Sequence, residues 1–261
     1  MTGTIPDILA RIVEQKQAES VLRRGLAAQF ERMAEAALSA RRDFRAALSA
    51  NPPAIIAECK KASPSKGLLA PNYDPAAMAR QYEDGGAAAL SVLTDEKFFQ
   101  GSLVDLQTAR ASVSLPVLRK DFTLEEFHVI EAAAHGADAI LLIAAILPAD
   151  RLRTLRELAA AWRMAAIVEV HDDSDLDRAI DSGADIVGVN NRNLRTFEVT
   201  LETAERLAPR IPAGALRIAE SGIHGAADVA RLRAAGYGAF LVGEHLMKSR
   251  TPAEAIQALR R

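Results

Sequence analysis

The sequence predicts an α/β protein, a (β/α)8 TIM barrel with an N-terminal helical extension. Its 261 residues suit the roughly 250 that such barrels use as one domain. From Ala54 onward, short apolar runs alternate with segments of helical period, and eight such pairs follow one another. Glycine precedes several of the runs, as it does where a helix ends and feeds a strand. We therefore expect one domain over residues 1–261, in which residues 1–50 form the extension.

The first 50 residues differ in pattern from the rest of the chain. Apolar residues recur there at helical spacing with charges between them, at Ile5, Ile8, Leu9, Ile12 and Val13. A second helical stretch is expected from Phe30 to Leu48, with four inward positions at Met33, Ala37, Phe44 and Leu48. Asn51-Pro52-Pro53 then stops any helix. Because so short a segment buries too little surface to fold alone, we expect it to pack on the barrel.

Eight apolar, β-branched runs are the predicted strands. They are Ala54–Lys60, Ala88–Leu93, Leu115–Lys120, Ala139–Ile143, Ala166–Val170, Ile186–Asn190, Leu216–Glu220 and Ala239–Val242. Glycine turns before four of them suit helix C-caps, at Gly85-Gly86-Ala87, Gly136-Ala137-Asp138, Gly183-Ala184-Asp185 and Gly236-Tyr237-Gly238. A doubly wound open sheet is the alternative fold. It would more often show fewer strands and a glycine-rich turn after the first, where this chain has Lys-Lys-Ala-Ser-Pro-Ser-Lys-Gly.

Composition excludes several classes of protein. The chain is 49% hydrophobic and 25% charged, a globular balance, and its net charge of −2 lacks the basic excess of a nucleic-acid binder. The longest uncharged run, Ala46 to Ala57, is shorter than the about 20 residues that cross a membrane. Charges at Asp7 and Arg11 disfavour a signal peptide, and Cys59 has no cysteine partner for a disulfide. We expect a cytoplasmic protein with neither nucleic acid nor membrane as partner.

Acidic and basic residues end three of the predicted strands, where the active site of this fold lies. Glu58 and Lys60 share one face of the first strand, while Cys59 points to the other as a small buried residue. A structural ion pair is an equally open interpretation of Glu58 and Lys60. Lys120 ends the third strand and could act as a general acid or hold an anion. Glu169 lies inside the apolar fifth strand, where a carboxylate is costly unless it is paired or used.

The remaining strands end in polar residues that suit a substrate phosphate and its neighbours. Asn190 and Arg192 share a face after the sixth strand, although a turn rich in asparagine explains them too. Glycines follow Ser221 and Val242, and helix N-termini behind such turns bind phosphate in these barrels. His171 is the expected start of a loop, with Asp172 or Asp173 as a helix cap, and His128 and His135 are expected on the surface or in packing. The five histidines show no ligand spacing, so we expect acid–base chemistry without a metal or redox cofactor.

These strand-end segments together resemble the indole-3-glycerol phosphate synthase family. They are Ile56–Gly67 (IAECKKASPSKG), Leu90–Gly101 (LSVLTDEKFFQG), Leu115–Phe122 (LPVLRKDF), Val168–Val170 (VEV), Gly188–Leu194 (GVNNRNL), Ala219–Ile223 (AESGI) and Val242–Met247 (VGEHLM). They occur in order over roughly residues 50 to 250, and the helical extension also resembles that of the family. As a set they are highly specific.

The resemblance implies a ring closure in tryptophan biosynthesis. The substrate would be 1-(2-carboxyphenylamino)-1-deoxyribulose 5-phosphate, which such a lyase converts to indole-3-glycerol phosphate with loss of carbon dioxide and water. Lys120 matches the general acid for the substrate carbonyl. Glu169 matches the carboxylate that assists proton removal and dehydration, and Lys60 the lysine that holds the substrate carboxylate and acts in a later step. Glu58 and Asn190 match residues that orient these groups.

Other positions match the walls of the family's site. The polar lining is matched by Ser63, Arg192, Glu220 and Ser221, the apolar wall by Phe99 and Phe122, and the phosphate turn by Gly222, Gly243 and Glu244. Glu244 and His245 depart from the small polar residues common there, so only the backbone N–H of Glu244 is expected to contribute. The family uses no cofactor and is most often monomeric when unfused. This chain ends at Arg261, so any fused isomerase partner is expected as a separate protein.

Two other functions stay open at this level. A phosphoribosyl isomerase of the same superfamily would share the phosphate turns but lack the Glu-x-Lys-x-x-Ser-Pro-Ser segment that begins at Glu58. A non-catalytic phosphosugar-binding barrel would have little need of Lys60, Lys120 and Glu169. The loop Ser63–Tyr73, with its proline and glycine residues, is expected to close over the substrate.

Overall fold

Eight parallel strands close into a barrel in the computed structural model, which describes residues 7–64 and 66–261. The strands are β1 (Ala54–Cys59), β2 (Ala89–Leu93), β3 (Val117–Lys120), β4 (Ala139–Ile143), β5 (Ala165–Val170), β6 (Ile186–Asn190), β7 (Leu216–Glu220) and β8 (Ala239–Val242). β1 pairs with both β2 and β8, which completes the ring. The predicted fold class is confirmed. β3 begins at Val117 rather than Leu115, because Pro116 has no N–H to donate to the ladder.

Helices surround the barrel on its outer face. They are α4 (Pro75–Asp84), α5 (Glu96–Phe99), α6 (Leu103–Ser112), α7 (Glu126–Ala134), α8 (Ala149–Ala161), α9 (Asp173–Asp181), α10 (Glu202–Leu207), α11 (Ala226–Ala234), α12 (Glu244–Lys248) and α13 (Pro252–Leu259). The four predicted glycine turns each contain a glycine with positive φ, namely Gly86, Gly136, Gly183 and Gly236. No helix in the described part of the chain is long and apolar enough to cross a membrane.

The N-terminal extension is helical, as predicted, and consists of α1 (Asp7–Arg23), α2 (Ala27–Ala36) and α3 (Phe44–Ala50). Leu9 and Ile12 of α1 are buried, while Ile5 lies outside the described residues. α2 packs on α7, where the rings of Phe30 and Phe127 have centroids 5.8 Å apart. The extension therefore shares its apolar surface with the barrel helices.

The prediction of one helical stretch from Phe30 to Leu48 is wrong. α2 ends at Ala36, a short 3-10 turn covers Leu38–Ala40, and α3 begins at Phe44 with Asp43 as its cap. Side chains in the gap bond to distant parts of the chain instead of continuing the helix. Arg41 donates to the carbonyl oxygens of Ala133, Ala137 and Trp162. Of the four predicted inward positions, Phe44 and Leu48 are buried and Met33 and Ala37 are half-buried, whereas Ala34, which was not among them, is fully buried.

The interior of the barrel is closed at one end and open at the other. Apolar side chains fill the amino-terminal half, among them Ile56, Leu118, Leu141, Ile167, Ile186 and Ile218. Phe44 and Leu48 of α3 join this cluster and seal the amino ends of the strands. The carboxyl ends are left for polar side chains.

Candidate active site

A cavity of about 340 Å³ lies at the carboxyl ends of the strands. All fourteen residues predicted for the site line it: Glu58, Lys60, Ser63, Phe99, Lys120, Phe122, Glu169, Asn190, Arg192, Glu220, Ser221, Gly222, Gly243 and Glu244. They come from seven of the eight strands or the segments that follow them. Parallel strands in a barrel present their carboxyl ends at the same rim, which brings these distant residues together.

Lys120, the last residue of β3, lies at the centre of the charged group. Its Nζ is 2.6 Å from Oε2 of Glu169 and 3.3 Å from Oε2 of Glu220. Burial by itself would lower the pKa of Lys120, but the carboxylates of Glu169, Glu220 and Glu58 outweigh it and raise the pKa above its usual value. Lys120 is therefore a protonated ammonium, and its side chain is only 13% exposed.

Glu169 is held by donors on both of its oxygens. Lys120 donates to Oε2, and Nδ2 of Asn190 donates to Oε1 at 3.3 Å. Nε2 of His171 lies 3.2 Å from Oε1 without the alignment of a hydrogen bond. Burial would raise the pKa of this carboxyl, and the charges of Lys120 and His171 lower it well below the ordinary range. Glu169 is therefore ionised. The sequence predicted no contact between Glu169 and His171, although their spacing of two along a strand places them on one side.

Of the two carboxylates that Lys120 contacts, Glu220 is the more distant. Its Oε1 has no hydrogen-bond partner among the described residues, and the group is almost fully buried at the end of β7. Burial raises its pKa, and the neighbouring charge of Glu169 raises it further against the opposing effect of Lys120. A Cβ at Gly188 would overlap this carboxylate, so the glycine on β6 is what makes room for it.

The predicted pair on β1 is present. Lys60 donates from Nζ to Oε2 of Glu58 at the edge of the cavity. A Cβ at Gly243, at the end of β8, would overlap the same carboxylate. Gly243 therefore has a packing role beside the pair in addition to the turn role that the sequence predicted.

One side of the cavity is apolar. The rings of Phe99 and Phe122 lie with centroids 6.2 Å apart, inclined at 37°. Ile8, Leu9 and Ile12 of α1 also line the cavity. Sequence reasoning missed this second contribution, because helical spacing indicates that a face is buried but not against what. The wall suits a flat aromatic group.

The turns after β7 and β8 also line the cavity. Ser221 and Gly222 both have positive φ, 66° and 77°, and Nδ2 of Asn191 donates to the carbonyl of Ser221 at 3.1 Å. Gly243 is the N-cap of α12. Hydrogen bonds from Lys248 and Lys66 lower the pKa of Glu244 to about 2, so its carboxylate is neutralised by two lysines. Because the charge of Glu244 is offset by these lysines, the backbone N–H groups of the two turns can bind an anion.

The structure also shows the surroundings of four further residues that the sequence singled out. Oδ1 of Asn190 accepts the backbone N–H of Arg192 at 3.0 Å, which ties the polar turn after β6 together. Cys59 is buried against the helices, as expected. Asp172 caps α9 by accepting the N–H of Asp175 at 2.9 Å, which confirms one of the two predicted caps. His128 is a buried packing residue, and its Nε2 lies 2.7 Å from Oγ of Ser20.

Known proteins resemble this chain in sequence and in fold. The family model described as indole-3-glycerol phosphate synthase matches residues 9–259. The indole-3-glycerol phosphate synthase of Koribacter versatilis is 48% identical over 254 residues, which cover 96% of this chain and 98% of that one. The enzyme of the same name from Aromatoleum aromaticum is 51% identical over 227 residues, 85% of this chain and 87% of that one. Among solved structures, thiamine phosphate pyrophosphorylase from Pyrococcus furiosus has a TM-score of 0.60 at 18% identity, over 79% of this chain and 93% of that one, a likeness of fold alone.

Proposed function

The chain belongs to the indole-3-glycerol phosphate synthase family, and from this premise we propose how its residues carry out the reaction. Its function is that of an indole-3-glycerol phosphate synthase of tryptophan biosynthesis, and the isomerase and non-catalytic alternatives are not favoured. We propose a carboxy-lyase that closes the indole ring of 1-(2-carboxyphenylamino)-1-deoxyribulose 5-phosphate. One carbon–carbon bond forms, and carbon dioxide and water leave.

The substrate is bound by three parts of the cavity. Phe99 and Phe122 hold the aromatic ring, and the turns at Gly222 and Gly243 hold the phosphate. Lys60 holds the carboxylate, and Glu58 keeps its ammonium in place. This arrangement stretches the substrate across the barrel mouth, so that its carbonyl group lies over the centre. Ser63, Arg192 and Ser221 supply polar contacts along the way.

In the first step Lys120 donates a proton from Nζ to the carbonyl oxygen of the substrate. The ring carbon that bears the carboxylate attacks the carbonyl carbon at the same time, which leaves a hydroxyl group and an iminium ion. Holding Lys120 between Glu169 and Glu220 ensures that it is protonated before the substrate arrives. This position of Lys120 is the single observation that carries the proposal.

The later steps restore the aromatic ring. Loss of carbon dioxide returns the bonding electrons to the iminium nitrogen, so no cofactor is needed as an electron sink. Loss of the hydroxyl group as water then requires an acid and a base. Lys60 supplies the proton to the leaving hydroxyl group, and Glu169, which Asn190 orients, accepts the proton that leaves carbon.

We also propose that the enzyme works in the cytoplasm as a monomer. The near-neutral balance of 32 basic and 34 acidic residues supports the absence of a nucleic-acid partner. The phosphorylated small molecule is then its one partner.

The test is a fluorescence assay for indole-3-glycerol phosphate with the purified protein, the carboxyphenylamino-deoxyribulose phosphate and EDTA. Product formation is expected with EDTA present, because the side chains alone supply the acid and the base. The Lys120→Met variant is the matched control and should form product far more slowly. Absence of product from protein shown by circular dichroism to be folded would overturn the proposal and direct the assay to isomerase substrates.

A further inference from the structure

A histidine that is almost fully buried lies beside Glu169 and is outside the described lining of the cavity. His171 immediately follows β5, and its side chain is 10% exposed. Its imidazole lies between two carboxylates: Nε2 is 3.2 Å from Oε1 of Glu169, and Nδ1 is 3.1 Å from Oδ2 of Asp175. His171 is not among the described residues that line the cavity, so any effect on the reaction passes through Glu169.

Asp175 is itself firmly held. It lies in the first turn of α9, and it is 3% exposed. Its Oδ2 accepts the backbone N–H of His171 at 3.0 Å, and its Oδ1 accepts a hydrogen bond from Arg178. Because both carboxylate oxygens are used, Asp175 fixes the position and tilt of the imidazole.

The imidazole is charged in this setting. Two acceptors face its two nitrogens, and only the imidazolium carries a proton on both. Burial would lower the pKa of His171, but Asp175 and Glu169 outweigh it and raise the pKa to about 9. The charged groups around the ring are Glu169 on β5, Asp175 and Arg178 on α9 and, beyond Glu169, Lys120 on β3.

Two described cations, Lys120 and His171, therefore lie beside Glu169, and their contacts with it differ. Lys120 makes the shorter contact, at 2.6 Å, whereas Nε2 of His171 is close to Oε1 without the alignment of a hydrogen bond. When Lys120 gives its proton to the substrate, that ammonium becomes a neutral amine. A buried carboxylate left without a cation takes up a proton, and it could then no longer act as a base.

We propose that His171, anchored by Asp175, is a positioning residue that keeps Glu169 ionised and oriented after Lys120 has given up its proton. A small rotation of the carboxylate aligns Oε1 with the Nε2–H of His171, whose positive charge stays beside Glu169 when that of Lys120 is gone. The inference rests on the proposed roles of Lys120 and Glu169.

The experiment compares the pH dependence of kcat and KM in the wild type and in His171→Gln. Glutamine is neutral and keeps a donor, so the variant removes the charge but not the hydrogen-bonding capacity. We expect kcat to fall by up to about tenfold at the acidic pH values where Glu169 becomes protonated, and to change less at higher pH, with little change in KM. We also expect the acid limb of the kcat profile to move up by about one pH unit, as loss of a cation beside a carboxylate predicts.

The matched control is His128→Gln. His128 is also buried, but it contacts Ser20 and the N–H of Leu124 rather than Glu169. Its loss should leave the acid limb in place. A wild-type acid limb in His171→Gln, or an equal loss of kcat at every pH, would overturn the inference.

A second measurement needs no catalysis. The imidazole signal that is missing from the NMR spectrum of His171→Gln identifies His171, and this signal should titrate near pH 9 in the wild type. In Asp175→Asn it should titrate at lower pH. Titration near the ordinary value of about 6.5 in the wild type would overturn the inference. If Glu169→Gln were fully active, the proposed function of Glu169 would fail; if it were inactive while His171→Gln kept the wild-type profile, only the inference about His171 would fail.

Discussion

The two halves of the barrel interior have opposite chemistry, although the same strands build both. On three strands a step of two residues separates an apolar side chain from a carboxylate: Ile56 and Glu58, Ile167 and Glu169, Ile218 and Glu220. Strand alternation makes both members of each pair point inward. Below the step the interior is packed and closed by α3, and above it the interior is charged and lines a cavity.

The difference teaches that stability and chemistry are divided along the barrel axis. Burial of the lower side chains removes apolar surface from water and stabilises the fold. Burial of Lys120, Glu169 and Glu220 costs free energy that their mutual contacts only partly offset. A change in the upper half should therefore affect turnover more than stability, and a change in the lower half the reverse.

The largest effect is expected from Lys120→Met. Turnover should fall by a factor on the order of 10² or more, because the proposed acid is gone while the side-chain volume is nearly kept. The fold should survive, since the lower half is untouched. Product fluorescence measures the rate and circular dichroism the fold. Activity near that of the wild type would remove Lys120 from the mechanism.

Glu169→Gln should follow closely, with a loss of about 10² in turnover. The amide has the shape of the carboxylate but cannot accept the proton, so kcat should fall more than KM rises. Steady-state rates over a range of substrate concentrations up to saturation give kcat and KM separately. A change in KM alone would mean that Glu169 binds substrate without taking part in catalysis.

Leu48→Ala should show the reverse pattern. Leu48 is 1% exposed in the apolar cluster, so the cavity left behind should lower the free energy of unfolding by about 2 to 3 kcal/mol, with kcat unchanged. Leu22→Ala is the matched control, because Leu22 is 85% exposed and its loss should change stability by no more than about 0.5 kcal/mol. Urea unfolding measures both. A tenfold loss of kcat in Leu48→Ala would contradict the division of the barrel.

The pH dependence of stability should separate two buried histidines. The pKa of His171 is raised to about 9, so its stabilisation is complete below pH 6.5 and is lost as pH rises through 9. The pKa of His128 is lowered to about 4, chiefly by burial, so its stabilisation is present above pH 6.5 and is lost as pH falls through 4.

The check is urea unfolding at pH 4, 6.5 and 9. Between pH 6.5 and 9 the free energy of unfolding of the wild type should fall by about 1 to 2 kcal/mol through His171, and His171→Gln should abolish this fall. Between pH 6.5 and 4 a similar fall should arise from His128, and His128→Gln should abolish that one. Equal effects of either substitution on both sides would contradict the assignment of the charged imidazole to the upper half.

The smallest effect concerns the loop after β1. Lys66 in this loop pairs with Glu244 of α12, and Ser63 and Leu69 line the cavity. Indole-3-glycerol phosphate should slow tryptic cleavage after Lys61 and Lys66 about three- to tenfold if the loop closes over a ligand. Cleavage after an exposed arginine on an outer helix, such as Arg233 of α11, serves as the internal control. Cleavage in the loop that is indifferent to the product would show that it is not a lid.

Much of the site was predictable because the fold is encoded locally. Apolar runs and helical periods predicted the eight strands within two residues of their observed bounds, and the positions of the polar residues at their ends followed. Once the strands are parallel in a closed barrel, the carboxyl ends must meet at one rim. That is why all fourteen predicted residues, from Glu58 to Glu244, line one cavity.

What the sequence by itself determined is thus the barrel, its strand order and the set of side chains at its mouth. Tertiary structure alone decided where α1 lies, why the helical stretch breaks at Arg41, and that His171 lies between Glu169 and Asp175. It also decided that Gly188 and Gly243 leave room for two carboxylates. The physical reason is range: periodicity reports burial along one element, whereas these contacts join residues that only packing brings within hydrogen-bonding or van der Waals distance.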